Sequence, residues 1–85
     1  MGPDDDVISS TTIGFMLEET SHVELWIENA YQTRVITLVD EEREAGNYEV
    51  SFDMVDSNGN RLPNGLYTYH LETDSHSFSS TMIFR

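Results

Sequence analysis

Apolar and polar residues alternate in short runs along this chain, and each run ends in a turn signal. Thr11 to Leu17 puts Ile13, Phe15 and Leu17 on one side. His22 to Asn29 puts Val23, Leu25 and Ile27 on one side and Glu24, Trp26 and Glu28 on the other. Arg34 to Val39 carries Val35, Ile36 and Leu38, and Asn47 to Phe52 carries Tyr48, Val50 and Phe52. Tyr67, Tyr69 and Leu71 then alternate with Thr68, His70 and Glu72. Ser77 to Phe84 follows, with Phe78, Met82 and Phe84 as its inward set. Period two in runs of this length predicts half-buried strands. The order and spacing predict an all-β fold, a small antiparallel β-sandwich of six to seven strands.

The connections read as turns. Glu18-Glu19-Thr20-Ser21 and Ala30-Tyr31-Gln32-Thr33 join the first three strands. Asp40 to Gly46 reads as an acidic loop, because its helix-forming composition is too short to stand alone. Asp53 to Gly65 is the longest loop, closing on Leu62-Pro63-Asn64-Gly65. There Pro63 pre-sets φ, and Asn64 and Gly65 tolerate φ > 0. Parity places Trp26 on the wetter face, either exposed or covered by a neighbouring loop. Residues 1–9 read as a mobile acidic segment, and residues 10–85 as one sandwich domain.

Length and charge narrow the functions. With 85 residues there is room for one modest core and none for a deep enclosed substrate pocket. The net charge is −12, lysine is absent, and the basic residues are Arg34, Arg43, Arg61 and Arg85. Such a surface repels phosphate backbones and anionic lipid, which argues against nucleic acid as a partner. No run of about 18 apolar residues is present, so membrane insertion is not expected either. Cysteine is absent, which removes disulfides, zinc–thiolate sites and thiol nucleophiles. The N-terminus has neither the basic nor the apolar region of a signal peptide, so an exported domain of this kind is expected within a longer precursor.

Candidate chemistry is sparse. Asp56-Ser57-Asn58-Gly59-Asn60 spaces oxygen ligands as a calcium loop does, but the sixth place is Arg61 and the twelfth is Tyr67. A turn with Asn58-Gly59 at φ > 0 is the better reading, with no metal. His22, His70 and His76 read as surface histidines, without the G-x-S-x-G of a nucleophile elbow. Glu18-Glu19 and Glu41-Glu42 are adjacent and point apart on extended chain, so they make no acid–base pair. No catalytic residue, metal or cofactor is expected. Trp26 and Tyr31 are instead the aromatic candidates for anchoring a protein partner.

The segments Ser10-Thr11-Thr12-Ile13, Ala45-Gly46-Asn47-Tyr48-Glu49-Val50 and Leu62-Pro63-Asn64-Gly65-Leu66-Tyr67, with the ending Met82-Ile83-Phe84-Arg85, stand in a familiar order. The chain resembles the C-terminal sorting domains of the type IX secretion system. It is equally similar to the immunoglobulin-like domain of the flagellar hook-capping protein. The sorting domains carry an N-P-F-N-P segment ahead of the first strand, where this chain has Asp5-Asp6-Val7-Ile8-Ser9. The resemblance implies an immunoglobulin-like sandwich that is not an enzyme and acts outside the cell or at its surface. Its partners would be secretion machinery or neighbouring subunits. A sorting role would place the message in Met82, Phe84 and Arg85; the alternative is a structural or adhesive module of a surface or filamentous assembly.

Overall fold

The computed structural model describes residues 10–84; the segment 1–9 and Arg85 lie outside the described residues. Six strands follow in order: β1 (Thr11–Leu17), β2 (Ser21–Glu28), β3 (Arg34–Arg43), β4 (Gly46–Phe52), β5 (Gly65–Glu72) and β6 (Ser77–Phe84). They form a two-stranded sheet, β1–β4, and a four-stranded sheet, β3–β2–β5–β6. All neighbours are antiparallel. The all-β sandwich is the one the alternation predicts.

The core lies between the sheets and is centred on β2. Val23, Leu25 and Ile27 are each 0% exposed, as a strand flanked by β3 and β5 and roofed by the small sheet should be. Ile13 and Leu17 of β1, Phe52 of β4, and Tyr67 and Leu71 of β5 complete it with Phe84. Full burial of such side chains stabilises by about 1.5–3 kcal/mol each. Tyr67, Tyr69 and Leu71 sit beside β2 in the same sheet: Leu25 pairs with Leu71 and Ile27 with Tyr69.

Two departures from the alternation concern β3. Bulges at Leu25/Trp26 and Ile27/Glu28 shift its register, so Ile36 pairs with Ile27 and Val39 with Leu25 without one parity. Asp40 to Arg43 is not an acidic loop but the continuation of β3, pairing with Ser21 to Glu24. The ladder that β2 offers outweighs the local composition. The charges are tolerated because β3 is an edge strand, with His22 Nε2 at 2.8 Å from Asp40 Oδ1 and Arg43 Nε donating to Glu41 at 2.7 Å.

The loop between β4 and β5 is more ordered than its polarity implies. Asp56 Oδ1 accepts from the amides of Asn58 and Asn60 at 2.9 and 3.0 Å, and Gly59 takes φ +84°. That is the expected turn, with the Asp56 carboxylate committed to backbone amides. Met54 and Leu62 from the same loop enter the core, joined by Leu62 N–H donating to the Met54 carbonyl at 2.7 Å. The chain then enters β5 through Gly65 at φ +151°. Two residues later the buried Tyr67 hydroxyl donates back to the Pro63 carbonyl at 2.5 Å. This is the tyrosine corner of immunoglobulin-like sandwiches. Burial raises the Tyr67 pKa, which keeps the phenol a donor. Tyr67→Phe keeps the ring and loses this bond, so it is expected to cost about 1 kcal/mol, seen as a fall in Tm of about 4–8 °C. An unchanged Tm would show that the corner is not a structural tie.

Candidate protein contact surfaces

The outer face of the four-stranded sheet is organised around Trp26. Parity puts the indole on this face, yet it is 8% exposed. The cover comes from neighbouring strands, not from a loop. His70, directly across on β5, stacks on the indole at 5.1 Å with 12° between the planes. The Arg34 guanidinium of β3 lies 4.2 Å from the ring centroid. Arg34 Nη1 is itself held by Glu24 Oε2 at 2.8 Å and Thr37 Oγ1 at 3.2 Å. The indole Nε1–H donates to Glu28 Oε2 at 3.0 Å, and Glu28 Oε1 is 3.1 Å from His70 Nε2. Glu28 is held below the usual carboxylate pKa, first by the Trp26 hydrogen bond and then by its interactions with His70 and Arg34; desolvation opposes the shift. This closed cluster fastens β3, β2 and β5 together. Trp26 is therefore corrected as an exposed anchor: its one polar atom is satisfied and its ring is covered.

Tyr31 stands where the alternation leaves it, 88% exposed in the β2–β3 turn. The turn beneath it is tied by its own hydrogen bonds. Asn29 Oδ1 accepts from the amides of Tyr31 and Thr33 at 2.9 and 3.0 Å, and Gln32 adopts φ +66°. Tyr31, Pro63 and Leu66 line a shallow depression of about 350 Å³. Leu66, 45% exposed, pairs across strands with Ile83, 59% exposed. Three large apolar side chains thus stand out at or next to this end of the sandwich. An aromatic on a fixed turn is a suitable contact anchor, because little freedom remains to be lost on binding.

The other end-strand candidates are placed differently. Phe84 is 2% exposed and packs on Phe52 and Tyr67, with centroids at 5.6 and 5.4 Å. Met82 is half-buried against the core. Both lie on the inward parity of β6 and pack into the core, so neither is the exposed side chain expected. Arg85 lies outside the described residues. Ile83 was the legible choice, since inward Met82 and Phe84 force it outward.

On a third side the sandwich is incomplete. The small sheet covers the Phe84 end of β6 but leaves its first half open, and a groove of about 480 Å³ opens there between β1 and the β5–β6 hairpin. Phe15, Leu17, Tyr69, Leu71 and Phe78 supply its apolar lining, with Glu18, Glu19 and Asp74 around it. Phe78 has the inward parity expected of it but is 57% exposed. Among the described residues, no group of three or more His, Cys, Asp or Glu is disposed to hold a metal ion.

Comparison with known proteins follows the same outline. The family model of the FlgD Ig-like domain matches residues 5–77. Among solved structures, the crystal structure of FLGD from P. aeruginosa superposes with a TM-score of 0.68 at 21% identity, over 92% of this chain and 64% of that one. That likeness is one of fold, and the chain spans about 64% of the length of the protein it matches. No curated protein matches.

Proposed function

The chain belongs to the FlgD Ig-like domain family, and from that premise we propose that it is a non-catalytic structural module of an extracellular protein assembly of the flagellar-hook kind. The observation that carries the reading is the exposed group Tyr31, Leu66 and Ile83, with Tyr31 on a turn held by the Asn29 side chain. Its partners are neighbouring protein subunits.

The test is made in cells, in the protein that carries this domain. Tyr31→Ser with Leu66→Ser is expected to lower incorporation into the surface assembly by about tenfold or more, the scale set by loss of one contact anchor. Tyr31 is 88% and Leu66 45% exposed, so the melting temperature of the purified chain should move little. Normal incorporation of the double variant would refute a contact role for this end.

A sorting role is the second reading, which the Ala45–Val50 and Leu62–Tyr67 segments fit as well as they fit the module. Fusing residues 7–85 to a periplasmic fluorescent protein separates the two in a host with the type IX system. Surface display supports sorting; periplasmic retention of a folded fusion supports the module. Deleting Met82 to Arg85 is a poor substitute test, since it removes Phe84 from the core.

A further inference from the structure

Sheet edges are where a β-protein is open to a further strand, and natural proteins blunt them with charge, proline or bulges. Among the described residues β1, β4, β3 and β6 each have one free edge. β3 is protected by Arg34, Asp40, Glu41, Glu42 and Arg43 and by its two bulges. β4 carries Glu49. β1 and β6 carry no charged residue and no proline over their whole length. Both unblunted strands line one and the same groove, with Gly14 to Leu17 on one wall and His76, Phe78 and Ser79 on the other. In an antiparallel pair half of a strand's amides and carbonyls point away from its neighbour. Those of β1 that face away from β4 have no strand partner among the described residues, and Gly14 to Leu17 bring this strand to the groove, whose apolar floor ends in the half-exposed Phe78.

We propose that this groove accepts an extended, basic segment of a partner protein, added as a strand along the free edge of β1. A strand of about seven residues would match β1. Its alternate side chains would enter the groove against Tyr69, Leu71 and Phe78, in place of the cover that the two-stranded sheet fails to give. The sign of the charge selects the occupant. Glu18, Glu19 and Asp74 line the groove and are exposed, and the chain carries a net charge of −12. A second copy would bring the same charge, and the residues ahead of β1 include Asp4, Asp5 and Asp6. A segment interspersing Lys or Arg with apolar residues fits both the floor and the rim. The proposal takes its biological user from the assembly reading above, but the groove is tested without it.

The probe is a synthetic nine-residue peptide of alternating lysine and valine, capped at both ends, titrated into the full 85-residue chain and followed by NMR and amide exchange. Saturable binding is expected, with shifts at Gly14, Met16 and Phe78 and new protection of the β1 amides that face away from β4. The same peptide N-methylated on alternate amides keeps its charge but cannot pair as a strand, and should bind about tenfold more weakly or worse. Phe78→Lys, at an exposed position, should fold normally and weaken the parent peptide by a similar factor. Equal binding of the N-methylated peptide would reduce the effect to charge attraction and overturn the proposal. So would shifts confined to the Tyr31 end, or β1 amides already protected in the free chain, which would place the chain's own residues or a second copy in the groove. None of these outcomes depends on incorporation in cells, so the groove and the assembly reading fail separately.

Discussion

Phe84→Ala is expected to lower stability by about 3–5 kcal/mol, the usual cost of emptying a buried aromatic site. A domain of this size has about 4–13 kcal/mol in total, on the per-residue scale of small proteins. The variant should therefore sit near or past its unfolding threshold at 37 °C. The reason is positional. Phe84 is 2% exposed and touches both layers of the sandwich, meeting Phe52 of β4 and Tyr67 of β5. Its loss empties the junction between the sheets next to the Pro63–Tyr67 corner. Ile83→Ala, one residue earlier, should change stability by only about 0.5 kcal/mol, because that side chain stands in solvent. Urea denaturation of the pair checks the contrast. Equal losses would mean that β6 frays and that its parity is not enforced. A large loss at Ile83 alone would reverse the assignment of its faces.

The alternation of single strands was enough to place β1 and β6 at their observed bounds and to assign the inward faces of β1, β2 and β5. Period two carries that information because register and facing are locked together. It does not carry what covers a face. Trp26 and Phe78 show the two directions of this gap. Trp26 has outward parity and is buried, because His70 and Arg34 reach it from other strands. Phe78 has inward parity and is open, because the sheet above it has two strands and the sheet below has four. The number of strands in each sheet is a property of pairing between distant segments, and no local window contains it. The charged end of β3 failed for a related reason: Asp40 to Arg43 look like loop by composition, and only the ladder with Ser21 to Glu24 makes them strand. Among the exposed apolar side chains near the Tyr31 end, the turn places Tyr31 and the parity of β6 turns Ile83 outward, whereas its pairing with Leu66 needed the β5–β6 register.

Met54 was not legible at all, and its substitutions are expected to follow an inverted order. It lies in the polar stretch between β4 and β5, where no periodicity marks it, yet it is 0% exposed and has φ +62°. Two terms oppose each other there. The side chain fills the core beside Leu62, and truncating it to alanine should cost about 2–5 kcal/mol. The backbone, however, is in the left-handed region, where a Cβ costs about 1–2 kcal/mol. The Leu62 amide on the Met54 carbonyl and the Val55–Arg61 bridge hold it there. Met54→Ala loses the packing and keeps the strain. Met54→Gly loses slightly more packing but releases the strain. At an ordinary strand position glycine is worse than alanine by about 0.5–1 kcal/mol. Here Met54→Gly should be the more stable of the two by about 1 kcal/mol, with both well below the parent chain. Denaturant melts of the two variants, read at equal slope, decide the matter. If alanine proves better than glycine by the ordinary margin, the backbone at Met54 relaxes on truncation. The loop is then held in its left-handed turn by the methionine side chain and not by its hydrogen bonds.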